Sequence, residues 1–407
     1  MKKTLILALA ALMLLSAGAS ATITRVTTLG NTNNILLDEA NVWLYPARIN
    51  MYPNFAAAEA GGDIEAFGVH WKFGDKNPWV LGTYFYTGGW QEPTGGSGGP
   101  LGLSNTFLPF WYPAPDLSAW VPLVDTVTSN TRFTLFYGRK LGNNPFGFYL
   151  NAVHASFENE TVGNEETQAV NEYDFGVGLT DANGKWDLAA GLNMFGWTYK
   201  VDATSYDTKP KGNTSFWANG RMFKQLNPQW TIVPNGGFIF GKYQADDYNG
   251  DATMDLSDKY DVFSFFGGIG AHYTPAANML AVGEFGIAYG SIKNTLTPTG
   301  GTATETKDNI FTLPYFKAGF EGKVFDWLDL RLGATSYWQR SSEEIAGVSK
   351  TRYNYPDNVT YLGTGMHFGN LHLDTYANPA ILQNGFNFIS GETTTLNYHV
   401  SVLYEFK

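Results

Sequence analysis

The chain has 407 residues and no cysteine, which excludes disulfide bonds, thiolate catalysis and cysteine-ligated metal sites. Its formal net charge of −11 argues against a nucleic-acid partner, because the phosphate backbone attracts basic surfaces. Aromatic residues make up 16% of the chain and glycines number 46, a composition that favours many short strands.

The first 21 residues have the three parts of a secretory signal peptide. A basic pair at 2–3 precedes an apolar run at 5–15 and a small-residue cleavage site at 19–21. The apolar run is shorter than the roughly 20 residues that a membrane-spanning helix needs. We therefore expect residues 1–21 to be removed when the chain is exported through the inner membrane.

Residues 22–53 do not alternate and form a separate N-terminal segment. Two placements stay open for it: a periplasmic tail under the barrel described below, or a segment inserted into the lumen. The stretch at 33–54 contains Asp38-Glu39-Ala40-Asn41, then Trp43, then Tyr45-Pro46-Ala47-Arg48-Ile49.

This layout resembles the segment that opens the barrels of the long-chain fatty-acid and aromatic-hydrocarbon outer-membrane transporter family. Tyr45 and Arg48 stand where that family usually has Asn and Gly. The resemblance implies a hatch inside the barrel that controls the passage of hydrophobic molecules. The residues that it singles out are Asp38, Glu39, Trp43, Tyr45 and Pro46.

From residue 54 to residue 407 the chain repeats a two-residue alternation that is typical of strands with one apolar face. The clearest example is the hairpin at 173–194, which turns at 181–184. Alternating runs lie near 54–61, 64–73, 79–86, 131–139, 146–157, 173–180, 186–194, 214–224, 230–241, 262–273, 279–290, 310–322, 328–339, 359–368, 371–377 and 394–406.

The connections between these runs differ in length at the two ends of the strands. Short turns occur at 74–78, 140–145, 181–184, 225–229, 274–278, 324–327 and 369–370, whereas longer polar stretches occur at 87–130, 158–168, 200–213, 242–258, 291–308, 340–357 and 378–392. This asymmetry is typical of bacterial outer-membrane barrels, which have short periplasmic turns and long external loops. We predict an all-β fold, a single transmembrane antiparallel barrel of 16 strands over 54–407, with 14 strands as the alternative.

The positions that alternate with the apolar face are predicted to face the lumen, and many of them are charged or are glycines. Either a hydrated pore or a filled interior would accommodate these side chains. The candidate pore-lining residues are Lys72, Arg132, Glu172, Asp174, Asp187, Arg221, Glu284, Arg331 and Asp374. Aromatic residues near strand ends are predicted to form girdles at the membrane surfaces. They are Trp71, Trp79, Trp186, Trp230, Tyr289, Trp327, Trp338, Tyr361 and Tyr404.

The longest polar stretch, 87–130, carries an aromatic group that is too apolar to lie free in water. It could form a constriction, a capture patch or a self-packed loop. The aromatic candidates in it are Phe107, Phe110, Trp111, Tyr112 and Trp120.

No motif for covalent chemistry is present. The six histidines show no HExxH or similar metal-ligand spacing, and no GxSxG elbow occurs. The sequence therefore predicts that the protein is not an enzyme and has no cofactor and no metal.

The last strand ends in Tyr404-Glu405-Phe406, which resembles the aromatic-x-aromatic assembly signal of outer-membrane barrels, although Lys407 follows it. The expected partners are therefore outer-membrane lipid, the barrel-assembly machinery and small solutes, and a homo-oligomer stays open. The main prediction is a porin-like channel for passive diffusion of small solutes, whose wall charges set ion preference. The alternatives are a hatch-gated transporter of hydrophobic compounds and a non-conducting scaffold in secretion or surface anchoring.

Overall fold

The computed structural model describes residues 22–61, 64–87, 132–161, 164–201, 206–249, 254–346, 348–377 and 398–406. The predicted signal peptide and the aromatic candidates of the 87–130 stretch lie outside these ranges. Within the described residues, no helix is long and apolar enough to cross a membrane.

In the described part of the chain, three short helices precede the strands: α1 at Ile23–Thr28 and two 3-10 helices, η1 at Glu39–Val42 and η2 at Pro46–Met51. The strand segments are β1 Phe55–Gly61, β2 Ile64–Phe73, β3 Trp79–Thr87, β4 Arg132–Leu141, β5 Asn144–Thr161, β6 Asn164–Thr180, β7 Trp186–Val201, β8 Tyr206–Pro210, β9 Asn213–Met222, β10 Lys224–Asn227, β11 Trp230–Asn249, β12 Met254–Tyr273, β13 Met279–Pro298, β14 Thr304–Phe325, β15 Leu328–Ile345, β16 Ser349–Phe368, β17 Leu371–Ala377 and β18 Tyr398–Glu405.

The sheet closes on itself, because β1 pairs antiparallel with both β2 and β18. The segments β8, β9 and β10 all pair with β11 and together form one strand of the wall. The wall therefore has 16 strands, which confirms the predicted number. One end carries tight turns, such as those at 142–143 and 369–370, and we call it the short-turn end.

The alternation decides which side chains face outward, as β15 shows. Asp329, Arg331 and Gly333 are buried on the inner face, whereas Leu330 and Leu332 on the outer face are 46% and 58% exposed. Exposed tryptophans, Trp327 and Trp338, mark the two ends of this apolar stretch. The girdle prediction is wrong for Tyr361, which is 0% exposed and accepts a hydrogen bond from Asn31 inside the barrel. About 11 residues at roughly 3.3 Å each, tilted by about 40°, span about 28 Å, which matches the apolar band of a transmembrane barrel.

The polar stretches at the other end are largely strand, although alternation had predicted connections there. Strand β11 ends only at Asn249, and β12 begins at Met254. Likewise, β13 ends at Pro298, and β14 begins at Thr304. The hydrogen-bonded ladder continues past the membrane, but the apolar face ends there because both faces meet water. Alternation therefore marks the membrane band, and the strands are longer than that band.

A charge placed in the apolar band should destabilise the barrel. We expect Leu332→Arg to lower the free energy of unfolding by about 2–4 kcal/mol, because the arginine would lie in hydrocarbon. Urea titration in lipid vesicles measures this loss. Ser342→Arg, on the same outer face but beyond Trp338, serves as the control with a loss of at most about 1 kcal/mol. Equal losses in the two variants would contradict this position of the band.

Candidate functional site

The N-terminal segment at 22–53, which we call the hatch, is packed inside the barrel. Local side-chain caps form its short helices: the Thr22 side chain accepts from the Arg25 amide, and Asp38 forms a capping box with Asn41. Pro46 begins η2, where a missing amide hydrogen does no harm. The hatch is tightly packed, because five of its apolar side chains are 0% exposed: Leu29, Ile35, Val42, Ala47 and Ile49.

Glycines on the inner wall let the hatch backbone approach closely. A Cβ at Gly147 would lie 2.2 Å from the Pro46 carbonyl oxygen, and one at Gly319 would lie 2.5 Å from the Leu29 carbonyl oxygen. A Cβ at Gly333 would likewise meet the Gly30 amide nitrogen at 2.4 Å. Gly319 and Gly333 are cross-strand partners on β14 and β15, whereas Gly147 lies on β5, so the wall accommodates the hatch backbone at two separate places.

The first ion cluster joins the hatch to the wall at Asp187 on β7. Its two carboxylate oxygens accept from Arg48 Nε at 2.7 Å and Arg48 Nη2 at 2.9 Å. Arg221 Nε on β9 donates to the same carboxylate at 2.7 Å, and Thr180 donates at 2.7 Å. Four donors therefore satisfy the Asp187 carboxylate. Asp187 and Arg221 are both buried, so these hydrogen bonds form in a site that excludes water.

Arg221 also holds the hatch backbone. Its Nη1 lies 3.1 Å from the Asn33 and Asn34 carbonyl oxygens and 2.6 Å from that of Leu36. Its Nη2 donates to the Asn41 side chain at 2.8 Å, and its guanidinium lies 4.3 Å from the Tyr45 ring centroid. One wall arginine therefore fixes both the loop before η1 and the residues after it.

The second ion cluster lies across the lumen, where β14, β15 and β17 meet α1. Arg25 of the hatch donates to Glu321 through Nε at 2.7 Å and Nη2 at 2.8 Å. Arg331 donates to Glu321 at 2.6 Å and also to Asp374, which accepts from the Thr22 hydroxyl at 2.8 Å. Both sides of the hatch are thus held by arginine–carboxylate pairs.

An acidic pair lies within the hatch itself. Asp38 accepts from Arg25 Nη1 at 2.9 Å, so this arginine bridges the hatch helices and the wall. Burial raises the pKa of the adjacent Glu39 well above its usual range, and the charge of Asp38 raises it further. The neutral form of Glu39 is therefore favoured beside the Asp38 carboxylate, which pairs with Arg25.

An aromatic layer forms where Trp43 of the hatch packs against aromatic side chains of the inner wall. Trp43 packs with ring centroids 5.0 Å from both Tyr84 and Phe136, and Tyr149 stacks on Trp217 at 6.5 Å. Phe136, Tyr149 and Trp217 are 0% exposed, so these rings are packed away from solvent inside the barrel. Alternation had predicted a polar inner face, so these inner aromatic side chains were not predicted. Trp217 lies on the same face of β9 as Asn219 and Arg221, and this spacing of two residues could have placed Trp217 inside the barrel.

The five hatch residues singled out by the sequence all lie inside the barrel, where Asp38, Trp43 and Tyr45 make the contacts described above. Six of the nine pore-lining candidates are buried on the inner face, and they bind the hatch or wall side chains: Asp174, Asp187, Arg221, Glu284, Arg331 and Asp374. Lys72 is exposed at the short-turn end. Arg132 and Glu172 lie in β4 and β6, but their side chains fall outside the described part.

The position of Asp187 predicts that its removal releases the hatch. Asp187→Ala would leave Arg48 and Arg221 buried without their shared carboxylate, at a cost of about 3–5 kcal/mol. We expect trypsin cleavage after Arg25 and Arg48, followed by mass spectrometry, to accelerate by at least about 100-fold. Asp181→Ala in the neighbouring turn is the matched control and should leave cleavage unchanged. Unaltered cleavage of Asp187→Ala would show that this carboxylate does not hold the hatch.

Comparison with known proteins finds no matching family model and no matching curated protein. Among solved structures, the Ralstonia pickettii toluene transporter TbuX aligns over 96% of this chain and 100% of its own, at 10% identity and a TM-score of 0.39. The alcaligin outer-membrane receptor FauA from Bordetella pertussis aligns over 86% and 75%, at 8% identity and a TM-score of 0.37. CdiB from Acinetobacter baumannii aligns over 87% and 60%, at 7% identity and a TM-score of 0.40. Likenesses this distant carry no argument about what this chain does.

Proposed function

We propose that the protein is a gated outer-membrane channel in which the hatch closes the lumen and moves to admit a solute. The observation that carries this proposal is the pairing of hatch arginines with wall carboxylates, Arg48 with Asp187 and Arg25 with Glu321. Ion pairs between two separate elements can break and re-form without unfolding either element. A merely structural filling would pack equally well with apolar side chains, which are often as stable as buried ion pairs.

The outer membrane is the proposed location because a closed barrel with an apolar band satisfies its backbone in lipid, and bacterial outer-membrane barrels have this form. The proposed partners follow from this location: membrane lipid around the band, the assembly machinery at β18, and the transported solute. No covalent chemistry is part of the proposal.

The aromatic layer supports a small apolar or aromatic solute. A solute that passes the hatch meets Tyr84, Phe136, Tyr149 and Trp217, whose faces bind rings and hydrocarbon. Passive diffusion of small solutes, the main prediction from the sequence, would need a water-filled path, and the inner charges of the wall instead bind the hatch. We therefore favour the hatch-gated alternative over the simple porin.

A disulfide that locks the hatch tests the proposal. The Thr24 and Ser401 hydroxyls are 2.5 Å apart, and the chain has no other cysteine, so Thr24→Cys with Ser401→Cys should form one defined bond. In planar bilayers we expect Asp187→Ala to conduct and the same variant carrying the oxidised pair to stay closed. Reduction should restore conductance, because the barrel itself is unchanged.

Two further variants separate the alternatives. Deletion of 22–53 should give a steady conductance if the hatch is the barrier. Thr24→Cys alone is the matched control, and it should conduct equally under oxidising and reducing conditions in the Asp187→Ala background. A barrel that conducts no ions after deletion of the hatch, but still shows heat-modifiable gel migration, would favour the scaffold and refute the gate.

A further inference from the structure

Four ionisable side chains converge on the inner face at the short-turn end, outside the two ion clusters that hold the hatch. They come from four consecutive strands: Asp329 on β15, His367 on β16, His372 on β17 and Glu405 on β18. His367 and His372 are direct cross-strand partners. Their Nδ1 atoms are 2.7 Å apart, and the rings meet at 77° with centroids 5.0 Å apart.

The outer nitrogens of both rings face carboxylates. His367 Nε2 lies 2.7 Å from Asp329 Oδ2, and His372 Nε2 lies 3.9 Å from Glu405 Oε1. An ionised carboxylate can only accept, so the His367 hydrogen resides on Nε2 and its Nδ1 carries a lone pair. At 2.7 Å the two Nδ1 atoms share one hydrogen, which His372 donates to His367. When that hydrogen is lost and His372 carries one on Nε2 toward Glu405, both Nδ1 lone pairs become available to one ion.

This arrangement is the one in which histidines bind metals. A metal-ligating imidazole usually donates its other ring N–H to a carboxylate, which fixes the tautomer and makes the ligating nitrogen more basic. We propose that His367 and His372 bind one divalent transition-metal ion through their Nδ1 atoms, with Asp329 and Glu405 as the supporting carboxylates. Imidazole ligands suit Cu²⁺, Ni²⁺ and Zn²⁺, and the general order of affinity puts Cu²⁺ first.

Binding requires the two Nδ1 atoms to separate and both rings to turn off the direct line between them. Metal–nitrogen bonds of about 2.0–2.1 Å place two nitrogens on a tetrahedral ion about 3.3 Å apart, so the Nδ1 atoms must separate by about 0.6 Å. Both histidines flank the two-residue turn at 369–370. No net proton is released, because the hydrogen that leaves His372 Nδ1 is replaced by one on Nε2.

The two imidazoles are the only direct protein ligands that we assign. In the part of the chain that the structure describes, no three His, Cys, Asp or Glu side chains are grouped to hold a metal together. Water would therefore complete the coordination. The site is reachable from the short-turn end, since the His367 side chain is 24% exposed and that of Glu405 is 48% exposed. The inference does not depend on the hatch acting as a gate.

Copper titration of the purified full chain tests the site. The protein should carry no histidine tag, be stripped with a chelator and be titrated with Cu²⁺ at pH 7.5, with binding followed by calorimetry and electron paramagnetic resonance. We expect one Cu²⁺ per chain with hyperfine coupling to two imidazole nitrogens. His367→Ala and His372→Gln should each weaken binding by about tenfold or more and leave a single coupled nitrogen, and Asp329→Asn should weaken it by about 10- to 100-fold.

His154→Ala is the matched control, because His154 is exposed on β5 and bonds Asn171 far along the chain from this site. It should bind Cu²⁺ as the unaltered protein does. Heat-modifiable gel migration verifies that each variant still forms the barrel. The proposal would be overturned if the His367 and His372 variants bound Cu²⁺ as tightly as the unaltered protein. A spectrum of the unaltered protein without coupling to two nitrogens would also overturn it. Two histidines that share only a proton and bind no metal would give such a spectrum.

Discussion

The carboxylate of Asp187 holds the hatch inside the barrel, because two arginines from different parts of the chain share it. Arg48 belongs to the hatch and Arg221 to the wall, and both donate to Asp187 at 2.7 Å through Nε. A carboxylate buried without such donors would be costly, and two buried guanidiniums without a carboxylate would be costlier. The three groups are therefore stable only together, and together they fix where the hatch lies.

The remaining contacts of the hatch depend on that position. Once Arg221 holds the carbonyl oxygens at 33–36, the chain reaches the opposite wall, where Arg25 meets Glu321. The glycines of the wall make this path available, since a side chain at Gly147 or Gly333 would occupy the space of the hatch backbone. The ion pairs fix the position of the hatch, and the wall glycines leave space for its backbone.

The fold could be predicted well, and the site only in part. The two-residue period and the uneven connections were enough for a 16-stranded barrel, since lipid outside and polar groups inside require that period. The predicted strands were too short at the far end, where β11 to β16 continue into water without an apolar face. The inner aromatic residues were missed because the prediction assigned polar side chains to the inner face and apolar side chains to the outer face. Trp217 is apolar but lies on the inner face.

Arg48 illustrates the difference between sequence and tertiary structure. In the sequence it was only a departure from the family pattern at 45–49; in the fold it is half of the pair that holds the hatch. By itself the sequence determined the barrel, its apolar band and the separate nature of residues 22–53, because these follow from local periodicity. Only the tertiary structure decided that Asp187 meets Arg48, and that His367 faces His372 beside Asp329, because such pairings depend on which strands are neighbours and which side chains share a level of the lumen.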